Sequence, residues 1–205
     1  MSSEHPGGAP SSELDIVALL RLRGAPLVEA LELHMRGSRE HSEATGTYVF
    51  AASVELCFER NQCEAVRQAA VLHEVGQVYV PATILAKARA ERDEAEAAVV
   101  EAHHEAGYRL ARGAGVPEHV CRWLLRVRER FDGGGPESLA AEQIPVESRL
   151  IRASCATATA LAAARGGTEP PHRQAIAVLN AASGTELDPR LVDILSNVLA
   201  RATTT

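Results

Sequence analysis

Three histidines fall on helical stripes of small and aliphatic residues, where an imidazole needs a partner. His41 shares three- and four-residue spacing with Ala44, Thr45, Tyr48, Ala51 and Ala52. His73 aligns with Val66, Ala69 and Ala70, and His103 with Val99, Val100, Gly107 and Leu110. Burying a neutral imidazole without a hydrogen-bond partner costs roughly 1–3 kcal/mol. Any one of the three could be satisfied by a backbone carbonyl. Three on separate stripes are expected to converge on a shared polar site. Glu74 directly follows His73, so one rigid stretch delivers an imidazole and a carboxylate together. Those are metal-type ligands, and the chemistry they suit is the binding of a metal or of a phosphate.

The elements that position these residues all carry the 3.6-residue period, so the fold class is all-α. The spacing predicts helices over about 13–23, 26–36, 39–60, 62–75, 93–113, 117–130, 145–164, 172–182 and 188–202. Ser12 with Asp15 reads as a capping box for the first, Gly24 as its stop, and Pro26 as the start of the second. Gly76 reads as the stop after His73-Glu74, followed by a short extended Val78-Tyr79-Val80-Pro81 segment. Gly107 leaves room for another backbone to approach. Asp132-Gly133-Gly134-Gly135-Pro136 reads as a loop. Residues 1–12, rich in Pro, Gly and Ser, are expected to form a disordered tail ahead of one domain at 13–203.

Composition narrows the function classes. The 205-residue chain is 46% apolar and only 3% aromatic, which favours close-packed helices. A net charge of −6 argues against a DNA or RNA binder. No apolar run reaches membrane length, the first residues lack a signal-peptide core, and a cytoplasmic protein is expected. Cys57, Cys63, Cys121 and Cys155 have no CxxC spacing and read as reduced thiols, the first three as packing residues. His104 and His119 read as surface residues and Trp123 as core. Tyr79 reads as either a pocket-lining or a packing residue.

The motifs, in their order, resemble the HD-GYP branch of the HD phosphohydrolases over about residues 26–199. The resemblance rests on His41, on Leu72-His73-Glu74-Val75-Gly76-Gln77, on Val80-Pro81 with Ile84-Leu85-Ala86-Lys87, and on His103-His104-Glu105-Ala106-Gly107. It continues through Glu129-Arg130-Phe131-Asp132-Gly133, Gln143-Ile144-Pro145 with Ser148-Arg149, and Gly184-Thr185-Glu186-Leu187-Asp188-Pro189. It implies a helical bundle of about eight or nine helices and a site with two or three metal ions that hydrolyse cyclic di-GMP, a bacterial second messenger. On this chain the implied metal ligands are His41, His73, Glu74, His103 and Cys155, the last where the family has an aspartate. The family's paired histidines fall on Val127 and Arg128, and its signature lysine on Gln77. Its Gly-Tyr-Pro element is reduced to Gly135-Pro136, with the loop one residue shorter.

These departures change the chemistry. Val127 has no lone pair, and Arg128 is a permanent cation that cannot ligate and repels a divalent ion. Cys155 would be a soft ligand, better suited to zinc than to iron or manganese. A two-ion clamp on a phosphodiester needs bridging ligands, and the second ion has lost its cage. The leading expectation is therefore a degenerate, catalytically silent HD-GYP-like domain that binds a ligand or partner. The alternative is a surviving single-metal phosphohydrolase using His41, His73, Glu74 and Cys155. Arg128, Lys87 and Gln77 are the implied phosphate- or ligand-binding positions. The cofactor is either one divalent ion (zinc, manganese or iron) or none. The partner is a cyclic dinucleotide, a signalling protein or a second copy of the chain.

Overall fold

A computed structural model describes residues 13–202. The predicted tail and Ser12, half of the first capping box, lie outside the described residues. Every regular element within them is helical: α1 Glu13–His34, α2 Ser38–Glu55, α3 Arg60–Val71, α4 Ala82–Leu85, α5 Glu94–Glu101, α6 His103–Gly113, α7 Glu118–Leu125, α8 Val146–Ala163, α9 Pro171–Ala182 and α10 Pro189–Arg201. No described helix is long and apolar enough to cross a membrane.

α2 is the centre of the bundle, packed between α3 and α8, with α10 across both α2 and α8. Small residues permit that closeness. A Cβ on Gly46 of α2 would stand 3.3 Å from the Arg67 carbonyl of α3. Val49, Val66, Leu150, Ile151, Leu191 and Leu195 are fully buried between these helices. Each large aliphatic side chain so buried contributes about 1.5–3 kcal/mol. A buried ion pair, Arg149–Asp188, ties α8 to the start of α10, where Asp188 also accepts from the Arg190 N–H at 2.9 Å. The expected Asp93 start is seen as a full capping box with Glu96, the Asp93 carboxylate accepting from the Glu96 N–H at 2.8 Å.

Two predicted boundaries are corrected. α1 runs straight through Gly24 and Pro26. Leu20, Gly24, Val28 and Leu31 continue one stripe in phase, and a Cβ on Gly24 would lie 2.8 Å from Leu72. Gly24 is thus a contact residue, and the burial of one continuous stripe outweighs the hydrogen bond Pro26 cannot make. The predicted 93–113 helix is two helices that meet at Ala102. There the His103 ring N–H bonds the Val100 carbonyl, an acceptor the helix would otherwise use.

Gly76 is also not a helix stop. Helix α3 already ends at Val71, and residues Val75–Tyr79 form a 3₁₀ turn, so of the expected extended segment only Val80 and Pro81 are extended. A Cβ on Gly76 would stand 1.8 Å from the His103 carbonyl oxygen and 2.5 Å from the Gly107 nitrogen. Gly76 and Gly107 therefore let the turn lie directly on α6. The predicted close approach at Gly107 is seen, with Gly76 as its partner.

Candidate metal centre

His73 and Glu74 sit in the turn between α3 and the 3₁₀ segment, His41 on the first turn of α2, and Cys155 midway along α8. One donor atom from each of the four lies within 4.8 Å of all the others. Cys155 Sγ is 3.6 Å from His41 Nε2, which is 3.8 Å from Glu74 Oε2. The second Glu74 oxygen is 3.9 Å from His73 Nε2.

The protonation of this cluster follows from its surroundings. His73 is buried, and its Nδ1–H donates to the Ala70 carbonyl at 2.6 Å. A carbonyl only accepts, so the free lone pair is on Nε2. Burial, against the pull of Glu74, holds the His73 pKa below its ordinary value. Burial would raise the Glu74 pKa, but His73, His41, His103 and a hydrogen bond from Gln77 outweigh it and lower it. Burial, with Glu74 nearby, pushes the Cys155 thiol up to about 12 in the metal-free protein.

The donor set fits a divalent ion on two grounds. His73 Nε2 is buried and has no hydrogen-bond partner, an arrangement that is costly unless something binds there. Two imidazoles, a carboxylate and a thiol are also the ligand types of zinc sites.

The remaining predicted residues fall into two groups. His103 is buried beside Glu74, with its lone pair on Nε2, but it lies outside the four-donor group. Gln77 is buried and its Oε1 has no partner. Arg128 lines the site, but its guanidinium grips both oxygens of Glu101. Lys87 is not drawn in. It pairs with Glu96 at the surface, while Arg92 holds the carbonyls of Ile84, Leu85 and Lys87.

Two adjoining cavities, of about 430 and 680 Å³, share Glu74, His103, Arg128, Arg152 and Glu186 as a common wall. The smaller runs over Val127 to an apolar end at Ala160 and Val178, and the larger reaches Gly134–Pro136. The Gly-rich loop is ordered around Glu129, whose buried carboxylate accepts from the Glu137 N–H at 2.7 Å and the Leu139 N–H at 3.2 Å.

Several site residues escaped the sequence reading. Arg152 donates to Glu186 at 2.9 Å and to the Glu186 carbonyl at 3.2 Å. Its pKa is lowered by burial and by Arg128. It precedes Cys155 by three residues on one helical face, a spacing that could have found it. His104 is half-buried rather than at the surface, its Nδ1 without a partner and its ring edge-on to His103. Tyr79 is 67% exposed and lines a third, apolar groove along α6 that also touches His103. His119 is exposed, Cys63 and Cys121 are buried, and Trp123 packs on the core, as read; Cys57, expected to pack, is exposed in the turn after α2.

A family model described as HD domain matches residues 27–191. Over 178 residues the chain is 30% identical to the cyclic di-GMP phosphodiesterase response regulator RpfG of Xanthomonas campestris pv. campestris, covering 82% of this chain and 45% of that protein. It spans less than half the length of the curated relatives it matches. Its backbone is similar to Bd1817, an HDG"Y"P protein from Bdellovibrio bacteriovorus, with a TM-score of 0.67 at 13% identity, over 92% of this chain and 62% of that one. It is also similar to the HD domain of L. monocytogenes phosphodiesterase PgpH, solved in complex with cyclic-di-AMP. There the TM-score is 0.64 at 14% identity, over 87% of this chain and 95% of that one. These two likenesses concern the fold. Since the family model spans most of the helical bundle and includes all the elements that carry the four donors, the chain belongs to the HD domain family, in the HD-GYP and HD phosphohydrolase superfamily.

Proposed function

We propose that this chain is an HD-GYP-like domain that has kept the one-ion half of its site and lost the two-ion chemistry. It acts as a ligand- or partner-binding module in cyclic-dinucleotide-type signalling. The observation that carries this reading is the cavity wall that Val127 and Arg128 share with His103 and His104. Val127 offers no donor, and Arg128 fills that position as a cation already paired with Glu101. A bound divalent ion would supply Lewis-acid charge to a phosphoryl oxygen, with His41, His73, Glu74 and Cys155 to hold it. Cavities of this size suit a small-molecule ligand, and curated relatives are named cyclic di-GMP phosphodiesterases.

The test is incubation of purified protein with cyclic di-GMP and excess manganese or zinc, beside calorimetry with the same nucleotide. Binding without turnover is expected. Metal-dependent turnover that His73→Ala abolishes rejects the proposal. A one-ion phosphohydrolase is the second reading, supported by the unpartnered His73 Nε2 and by the Nε2 lone pair of His103, beside Glu74, which can accept a proton. A metal content near zero, unchanged by added zinc or manganese, removes it.

A further inference from the structure

We propose that the smaller cavity binds an anionic amphiphile: a phosphate or carboxylate head at Arg128 and Arg152, and a linear alkyl chain laid along α8 toward Val178. Such a ligand needs neither a metal nor a nucleotide, so it goes beyond the reading above.

The polar end has the donors for the head. Arg128 and Arg152 both line this cavity. Arg128 grips Glu101 through Nε and Nη2, and its Nη1 carries two further N–H groups. The Glu101 side chain is half-exposed, so water can take over its carboxylate when Arg128 turns to a head group. Arg152 is held by Glu186 and stands close enough to Arg128 for each cation to oppose the other. An anion between two guanidinium groups offsets that repulsion, and phosphate and carboxylate are the anions that their planar forks fit. Two further polar atoms of the same lining, His73 Nε2 and His104 Nδ1, are buried and have no hydrogen-bond partner.

The other end suits a chain and not a nucleobase. Past Cys155 the lining is Ala156, Thr159, Ala160 and Ala163 of α8, with Val178 of α9 and Leu187. Arg152, Cys155, Ala156, Thr159, Ala160 and Ala163 recur at three- and four-residue spacing, so one face of α8 carries a cation at one end and small residues beyond it. Short side chains on that face leave a trough. Val127 and Leu187 line it as buried residues, and exposed Val178 marks its open end. Among the side chains of this apolar stretch only the Thr159 hydroxyl can hydrogen-bond. A purine edge placed there would leave several donors and acceptors unpaired, which is costly, whereas a methylene chain has none to lose. The larger cavity is different, with Gln77, Arg92, Glu101 and Arg130 as partners for a polar ring.

The full chain, stripped of metal with a chelator, is titrated calorimetrically with butyl, hexyl, octyl and decyl phosphate. The carboxylates of the same chain lengths form a second arm, and every ligand is kept below its critical micelle concentration. Affinity should rise roughly three- to fourfold per added methylene until the chain passes Val178, and then level off. Inorganic phosphate and octanol, each lacking one half of the ligand, should bind at least about thirtyfold more weakly than the better octyl anion. Tighter phosphates assign a phosphate head, and tighter carboxylates a carboxylate head. Val178→Asp should remove most of the chain-length dependence, and Arg128→Gln should weaken every chained anion roughly tenfold. Val99→Asp, in the groove along α6, should change neither. All three positions are at least partly exposed, and circular dichroism checks that each variant folds. Affinity independent of chain length, octanol bound as tightly as the octyl anions, or Val99→Asp acting as strongly as Val178→Asp would overturn the site. These failures are distinct from that of the silent-domain reading, which falls only if cyclic di-GMP is turned over.

Discussion

Replacing Glu129 by alanine should loosen the loop that walls the larger cavity. Glu129 is 2% exposed, and its two carboxylate oxygens accept from the N–H groups of Glu137 and Leu139. Gly135 is pressed so close that a Cβ there would lie 2.5 Å from Glu129 Oε2 and 2.7 Å from Glu129 Cα. Hydrogen bonds to a charged acceptor are each worth about 1.5–3 kcal/mol. The full sum is not expected, because Glu137 is exposed and its freed N–H can turn to water. Glu129→Ala should therefore cost about 2–3 kcal/mol. Glu129→Gln keeps one acceptor oxygen and should cost about half as much. Urea unfolding gives both values, with a midpoint fall for the alanine variant of about 1 M. Amide exchange at Glu137 and Leu139 should accelerate in both variants, more in alanine. A loss under about 0.5 kcal/mol for Glu129→Ala, or equal losses for the two variants, would show that the carboxylate is not what orders the loop.

Three further outcomes follow from particular contacts. Gly76→Ala forces a methyl into the His103 carbonyl and the Gly107 nitrogen, both backbone atoms. It should cost about 3 kcal/mol, a melting-temperature fall of roughly 6–12 °C, and an unchanged melting point would contradict the packing argument. The Asp132 pKa is depressed to about 2, first by Arg130 and then by the Gly134 N–H. Its contribution to stability is present above the unfolded value near 4 and lost as pH falls through about 2. A carboxyl NMR titration of Arg130→Ala should bring the folded value back up, and no movement would reject the assignment. Among the described thiols, exposed Cys57 should be alkylated first. Buried Cys121, its pKa pushed up to about 11 by burial, should stay unmodified in mass spectra of the native protein. Early labelling of Cys121 would contradict this.

The helices were legible because their apolar residues recur at 3.6, and His41, His73 and His103 stood out as polar members of those stripes. The glycines misled. Gly24 and Gly76 carry the same letter as a helix stop, yet both are contact points, against Leu72 and the start of α6 respectively. That difference depends on a partner distant in sequence, which periodicity does not contain. The Ala102 break was hidden for a similar reason, since it depends on the His103 ring taking the Val100 carbonyl. Arg128 was singled out only through the family resemblance. Its pairing with Glu101, on α5, needed the three-dimensional fold. Arg152 was not singled out at all, although its three-residue offset from Cys155 puts both on one helical face, and His104 was read as a lone surface residue.

The charges around the site bear on the proposed loss of a second ion. A dication at the four-donor cluster meets one carboxylate and one thiolate, and the total is neutral. The nearest remaining acids are already compensated, Glu101 by Arg128 and Glu186 by Arg130 and Arg152. A second dication about 4 Å from one of those guanidinium groups would be repelled by about 8 kcal/mol at an effective dielectric of 20. Adding a donor without removing the cation should therefore fail. Val127→His alone should still bind about one ion per chain in equilibrium dialysis. The double change Val127→His with Arg128→His frees Glu101, adds two imidazoles beside His103 and His104, and should move the stoichiometry toward about two. Two ions in the Val127→His single variant would show that Arg128 is no barrier. The second site would then be missing a ligand, not excluded by charge.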